Sequence, residues 1–449
     1  MEGTREQADV IVSGRYLLPT WRHAERIEDG AVAVLRDEII AVGGRTELTD
    51  RFAEAEELHE PAGLIMPGLI NTHTHAPMSY LRGIADDLPL MTWLQEHIFP
   101  VEQKLDAEMV YLSTLLSIAE MIKSGTTSFC DMYLFAGEVA RAADETGIRA
   151  WLGEVLYDFD SPSYGALDNG FALVEELFST YREHPLITVT VDPHSVYTCS
   201  PALLERSGEL AARMESLHVV HLSETESEVA TCVERYGVRP VEHLQRLGLL
   251  NSRLLAAHCV QLTEDEIELL AKQQVKVSHC VESNMKLASG TAPVPALLQA
   301  GVGVSIGTDG PASNNDVDMF AEMSSVAKVH KVVAMEPTVM DAETTLRCAT
   351  LSGAEALGVE TTLGTLEPGK KADLIVLDLD QPHLVPLYNL PSHLIYAARG
   401  ADVIHSMING RLVMKRRKLL SMDEQMILAR MKEIGSKVVR IREEAAASR

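Results

Sequence analysis

The stretch Pro67–His75, PGLINTHTH, ends an apolar run with two histidines one residue apart. Successive side chains of a strand point to opposite faces, so residues i and i+2 share a face. His73 and His75 therefore aim at one point from the end of a strand. Two convergent imidazoles suit a shared transition-metal cation. A polar strand end looks the same in isolation, so the meaning of the pair depends on what other strands bring to that place.

Five later strands bring chemistry to the same end. From about Leu64 to Leu363 the chain alternates short apolar strands with helical stretches. The candidate strands are LIMPGLINTH (64–73), TTSFCDMY (126–133), RAWLGEVLY (149–157), ITVTVDPHS (187–195), HVVHLSE (218–224), RLLAAHCV (253–260), VKVSHCVE (275–282) and VGVSIGTDG (302–310). Eight such units predict a (β/α)8 barrel of the TIM type; an open doubly wound sheet is the other arrangement this alternation allows. The barrel is favoured because polar residues collect at the C-terminal strand ends, where that fold builds its active sites. His194 ends the fourth strand, His221 the fifth, His258 the sixth, His279 the seventh and Asp309 the eighth.

Imidazoles with one carboxylate make a site that leaves a position open for water. His73, His75, His221 and Asp309 are assigned as its ligands. A bridging carboxylated lysine at the end of strand 4, which some two-metal barrels use, has no counterpart in ITVTVDPHSVYT, so one divalent metal is expected. Such a metal lowers the pKa of its water to roughly 7, giving a nucleophile at neutral pH. Glu224, three residues after His221, is placed to move a proton to the substrate, His258 to orient the nucleophile or polarise the substrate, and Asp309 to accept the water proton as well as bind metal. Glu226 and Glu228 share the acidic loop SETESE and read as solvated acids. His279 is assigned a supporting or structural place, and Cys259 and Cys280 read as small core residues.

Both ends of the chain are β-rich. ADVIVSG alternates, AVAVLRDEIIAVGG reads as two strands, KKADLIVLDLD as one more, and VIHSMINGRLVMKRRKL as a hairpin turning at Asn409-Gly410. A discontinuous small sheet domain, 1–63 with 364–421, is expected beside the barrel at 64–363, followed by an amphipathic helix at 422–449. Composition narrows the function. The formal charge is −26, from 39 Lys+Arg against 65 Asp+Glu, which repels polyanions and argues against nucleic-acid binding. No apolar run approaches the roughly 20 residues a membrane span needs. Six scattered cysteines and a polar N-terminus without a signal-peptide core read as a cytoplasmic protein with reduced thiols.

With these residues in view, PGLINTHTH, HLSETESE, AAHCV, SHCVESNMKLASGTAPVPALLQAGVGVSIGTDGPASNNDVDMFAEM and PGKKADLIVLD resemble the amidohydrolase superfamily along nearly the whole chain. Within it they are most similar to the 5′-methylthioadenosine/S-adenosylhomocysteine deaminases. The resemblance implies a barrel with a flanking β-sandwich from both termini and one zinc, sometimes iron, on His73, His75, His221 and Asp309. It implies hydrolytic deamination of an adenine base to the inosine analogue plus ammonia, with Glu224 delivering a proton to ring nitrogen 1. A PCxxC signature, which marks the cysteine-ligated zinc deaminases, is absent. The resemblance also implies that Trp93 packs on a nucleoside substrate, Glu102 accepts the ribose hydroxyls and His194 meets the purine. It is compatible with a homo-oligomer, on which no sequence feature bears.

One departure bears on specificity. Relatives that take S-adenosylhomocysteine hold its carboxylate with arginines after strand 3. Here residues 154–181 contain no arginine or lysine and carry Glu154, Asp158 and Asp160. Like-charge repulsion and the missing bidentate partner should favour neutral 5′-substituted adenosines (methylthioadenosine, 5′-deoxyadenosine, adenosine) over S-adenosylhomocysteine. Two other readings stand beside this one. The first is a deaminase or chlorohydrolase for another nitrogen heterocycle, guanine-like or triazine. The second is an inactive scaffold, which the complete set of ligands and the retained Glu224 disfavour.

Overall fold

The computed structural model describes residues 7–88 and 92–447. Four strands open the chain: β1 (Val10–Leu17), β2 (Ile27–Leu35), β3 (Glu38–Gly44) and β4 (Glu56–Pro67). The barrel follows with β5 (Leu69–Thr74), β6 (Thr126–Tyr133), β7 (Arg149–Leu156), β8 (Ile187–Val189), β9 (Asp192–Pro193), β10 (His218–Leu222), β11 (Leu254–His258), β12 (Lys276–His279) and β13 (Gly303–Ile306). The chain then returns through β14 (Leu374–Asp378), β15 (Val403–Ile408), β16 (Arg411–Lys415) and β17 (Lys418–Leu419).

The barrel strands pair in parallel as two runs, β5-β6-β7-β8 and β10-β11-β12-β13. Helices connect successive strands, as parallel pairing requires. The fourth strand is broken into β8 and β9, and single bridges from Val191 to His218 and from Ser195 to His221 join it to β10. At the other seam the Asp309 N–H donates to the His73 carbonyl at 3.0 Å and the Thr72 hydroxyl to the Ile306 carbonyl at 3.0 Å. Gly307 permits that closure, since a Cβ there would lie 2.7 Å from the His73 nitrogen. Under the mouth the hydroxyls of Thr72, Ser278 and Ser305 form a buried knot, with Thr72 2.7 Å from Ser278 and 2.8 Å from Ser305.

The termini build one continuous eight-stranded sheet, ordered β17-β16-β15-β14-β4-β1-β2-β3, in which only β1 and β4 run parallel. The resemblance implied a sandwich. The strands here form a single hydrogen-bonded sheet, and apolar side chains from its two halves, Val12 and Val32 with Val376 and Met407, meet in one cluster. Its β15–β16 hairpin turns at Asn409 and Gly410 with φ of 51° and 74°, as a tight two-residue turn needs.

Two boundaries differ from the expectation. The first apolar run is two strands: Leu64–Pro67 ends β4 and pairs with β14, and the barrel begins at Leu69. Both pieces are fully buried, so hydrophobicity alone cannot show where one sheet hands over to the other. Within 364–421, the helix Leu390–Tyr396 packs on the barrel helices Met319–Ala334 and Ala342–Ala349 rather than on the sheet. A final helix, Glu424–Ala447, buries Ile427, Ile434 and Val438. It lies along the helix Ala107–Lys123, with ion pairs Lys123–Glu424 and Arg430–Glu108 at 2.6 Å each at the rim. Exposed pairs of this kind contribute little, so the apolar stripe holds the helix.

Candidate metal centre and substrate pocket

The C-terminal strand ends converge. His73 lies on β5 and His75 one residue past its end. His221 and His258 come from β10 and β11, and Asp309 from the turn after β13. Ligand-capable atoms of His73, His221, His258 and Asp309 all lie within 4.8 Å of one another. The His75 Nε2 is 3.2 Å from both Asp309 Oδ1 and His221 Nε2. His258 thus stands as near the centre as the four assigned ligands.

Supporting hydrogen bonds decide which atom each residue presents. His75 donates through Nδ1 to the Met132 carbonyl at 2.5 Å, and His221 through Nδ1 to the His194 carbonyl at 2.8 Å. His258 Nδ1 donates to Asn284 Oδ1 at 2.9 Å. Each bond fixes a tautomer with a bare Nε2 facing inward, the usual arrangement for a metal-binding imidazole. Asp309 Oδ2 accepts from Ser283 at 2.5 Å and from Ser313 at 2.7 Å, which leaves Oδ1 for the centre. Burial lowers His73 to about 4 against the pull of Asp309, and burial with the neighbouring imidazoles holds His221 well below its ordinary value. Neutral imidazole is the form that binds metal.

The donor set can be tested for fit to a cation. Both ring nitrogens of His73 and Oδ1 of Asp309 are buried and have no hydrogen-bond partner. Buried polar atoms are paired as a rule, and a charged oxygen left unpaired is costly. Three imidazoles, a carboxylate and a further imidazole around one point fit a single divalent metal.

The backbone is strained at the same place. Ser223, His258, Cys259 and Asp309 all have positive φ, between 51° and 71°. Non-glycine residues seldom adopt that conformation, and its concentration at one rim turns these side chains toward a common centre.

A cavity opens over the centre. Glu224 enters it from the loop after β10, 6% exposed, with His258 Nε2 4.0 Å from its Oε2 and the Ser289 hydroxyl donating to its Oε1 at 3.3 Å. Burial raises its pKa, against the opposing charge of His258. The neighbouring Glu228, read from the sequence as solvated, is buried. Its carboxylate accepts the backbone N–H groups of Ser223 at 2.9 Å and Glu224 at 2.7 Å, holding that loop in shape. Glu226 is exposed.

Trp93, Glu102 and His194 all line the cavity. Glu102 is buried with a raised pKa from desolvation, and Tyr133 donates to its Oε1 at 2.6 Å. Tyr80 lies 2.8 Å from the Tyr133 hydroxyl. His194 Nδ1 is 3.0 Å from the Ser195 hydroxyl and 2.9 Å from that of Thr198. Burial lowers His194 to about 3, so the ring is neutral. His279 lies outside the cluster, with its Nε2 3.0 Å from that of His330. Cys259 and Cys280 are fully buried and burial pushes both thiols up, the behaviour of core residues.

The acidic loop corrects one expectation. Glu154 does not face the cavity: its carboxylate accepts the backbone N–H groups of Phe135 at 3.2 Å and Ala136 at 2.8 Å, at the start of the helix Ala136–Thr146. Asp158 accepts from the Ser200 backbone, beside another helix start. Helix N-termini attract carboxylates, and this local pull decides their direction. Glu154 and Asp158 therefore bring no repulsion to the pocket, whose lining combines aromatic and apolar side chains with Glu102, Glu224 and Asp309 and, among the described residues, includes no lysine or arginine.

Residues 64–413 match the amidohydrolase family. A 5-methylthioadenosine/S-adenosylhomocysteine deaminase from Syntrophobacter fumaroxidans is 52% identical over 96% of this chain and 98% of its own length. The chain belongs to the amidohydrolase family, among its 5-methylthioadenosine/S-adenosylhomocysteine deaminases. An adenosine deaminase from Xanthomonas campestris, solved with bound zinc, superposes with a TM-score of 0.95 at 44% identity, covering 97% of this chain and 99% of the other. An atrazine chlorohydrolase from Arthrobacter aurescens, 23% identical with a TM-score of 0.87 over 95% of this chain and all of its own, shares the fold. The kinship supports a hydrolytic deaminase with a single divalent metal. No helix among the described residues is long and apolar enough to cross a membrane.

Residues the sequence reading did not single out complete the site. Ser283 and Ser313 hold Asp309, Asn284 holds His258, and Tyr133 holds Glu102. A spacing signal was present for two of them. Ser313 stands four residues after Asp309 and Ser283 four after His279, one turn beyond a strand end.

Proposed function

We propose that this chain removes the 6-amino group of a 5′-substituted adenosine by hydrolysis, giving the inosine analogue and ammonia. The observation that carries the reading is the convergence of His73, His75, His221, His258 and Asp309 on one point, with the buried Glu224 at its edge and Trp93 and Glu102 lining the same cavity.

His73, His75, His221 and Asp309 would hold the metal, for which zinc is proposed because a 44%-identical relative was solved with zinc. When bound, a divalent ion lowers the pKa of water and polarises the group undergoing attack. Glu224, its pKa raised by desolvation, takes a proton from the attacking water and passes it to ring nitrogen 1 of the purine. His258, held through Nδ1 by Asn284, turns Nε2 toward the reacting atoms and orients the water. His194 presents Nε2 to the purine, since its Nδ1 is engaged by Ser195 and Thr198. Glu102 keeps Oε2 for the ribose hydroxyls while Oε1 takes the Tyr133 hydroxyl. Trp93, 5% exposed, packs against the nucleoside and excludes water. The six free cysteines accord with a cytoplasmic enzyme.

The test is ammonia release from adenosine, 5′-deoxyadenosine, methylthioadenosine, S-adenosylhomocysteine and guanine, run beside chloride release from a chlorotriazine. Turnover of the adenosines is expected. Release from guanine or the triazine alone would overturn the reading.

A further inference from the structure

The cavity changes character along its length. Its inner end holds the imidazoles, Asp309 and Glu224, and Glu102 lies on the helix Phe99–Glu102. Three residues before Glu102, on the same short helix, Phe99 faces Phe159 with ring centroids 6.2 Å apart. Phe159 in turn stacks on Tyr157, with centroids 3.9 Å apart and planes 12° from parallel. Tyr157 is near enough to Glu102 to feel its charge. Phe159 is 45% exposed, so this aromatic group stands at the entrance.

A nucleoside whose base reacts at the metal end and whose ribose meets Glu102 must send its 5′ group toward these rings. We propose that Tyr157, Phe159 and Phe99 form the seat of the 5′ substituent and set the specificity of the reaction. This rests on the reading of the site as an adenosine-type deaminase and adds the residues that choose among adenosines. The selection is by burial, and Glu154 and Asp158 are committed to helix starts. An apolar thioether gains area and sulfur–ring contact against the stack. A charged aminoacyl group would lose water at an aromatic surface that supplies no cationic partner. The seat is open at the entrance, so 5′-arylthio groups, which can stack on the free side of Phe159, are accepted as well.

The experiment compares kcat/KM for adenosine, methylthioadenosine, 5′-phenylthioadenosine and S-adenosylhomocysteine in the wild type, Phe159→Ala and Phe159→Tyr. The expected result is that both neutral thioethers exceed S-adenosylhomocysteine by at least about tenfold in the wild type. Phe159→Ala should lower the methylthioadenosine-to-adenosine ratio about fivefold, mainly through KM, and the phenylthio ratio by more; Phe159→Tyr should restore both. Because the side chain is half exposed, the alanine variant is expected to melt within a few degrees of the wild type. Ratios unmoved by Phe159→Ala, or a wild type that favours S-adenosylhomocysteine, would overturn the proposal while leaving the deaminase reading intact. Absence of turnover with every adenosine would overturn that parent reading, and this one with it.

Discussion

Two buried polar regions of this molecule differ in how they close. Where the flanking sheet meets the barrel, the buried charges of Arg149, Asp373, His405 and Glu60 find partners. Arg149 Nε and Nη2 each meet Asp373 at 3.1 Å, Asn409 donates its backbone N–H to the same carboxylate at 2.7 Å, and the buried His405 pairs with Glu60 at 2.9 Å. At the barrel mouth His73 has two unpartnered nitrogens and Asp309 one unpartnered oxygen, on a rim of strained backbone. Both regions are desolvated, so burial alone does not distinguish structure from function. What distinguishes them is whether the hydrogen-bonding capacity is used up. A satisfied network specifies one packing, whereas an open one is a place for a ligand.

The comparison can be broken at several points. Glu224→Gln should cost about 10³–10⁴ in kcat, at the upper end for a positioned acid–base group, while metal content by elemental analysis stays at that of the wild type. Activity within tenfold of wild type would remove Glu224 from the mechanism. Asp373→Ala tests the closed region, since it strands Arg149 in the interior. A loss of about 3–5 kcal/mol in denaturant unfolding is expected, with kcat per folded molecule unchanged. Replacing Arg149 and Asp373 together by leucine and methionine should recover most of that loss.

Smaller effects sharpen the boundary. Ser313→Ala removes one of the two donors that orient Asp309, and metal affinity measured against a competing chelator should fall about 10–100-fold. An unchanged affinity would mean that Ser283 alone orients the carboxylate. Tyr133→Phe takes a hydroxyl from Glu102; KM for adenosine should rise a few-fold with kcat little changed, about the net size of one ordinary hydrogen bond. A fall in kcat with constant KM would instead tie Glu102 to the chemical step.

The barrel was legible because its strands are short apolar runs, most of which end in a metal-competent or titratable residue, a pattern carried by single residues and their spacing. The HxH pair, His221, His258 and Asp309 announced themselves in that way. Glu154 and Glu228 did not. Both read as loop acids, yet one serves a helix N-terminus and the other the backbone of Ser223 and Glu224. Their destinations depend on N–H groups whose directions exist only after the chain folds. The passage from β4 to β5 was hidden for a related reason: both strands are buried, and apolar side chains carry no label for the sheet they join.

The order of residues by itself determined the eight-fold strand rhythm and pointed to a candidate donor set with an acid beside it, because periodicity and side-chain chemistry are local properties. The tertiary structure decided which nitrogen of each histidine faces the centre, which carboxylates point away from the pocket and which aromatic rings stand at its entrance. Those choices follow from hydrogen bonds and packing between segments tens to hundreds of residues apart, and such distances are set only when the barrel closes.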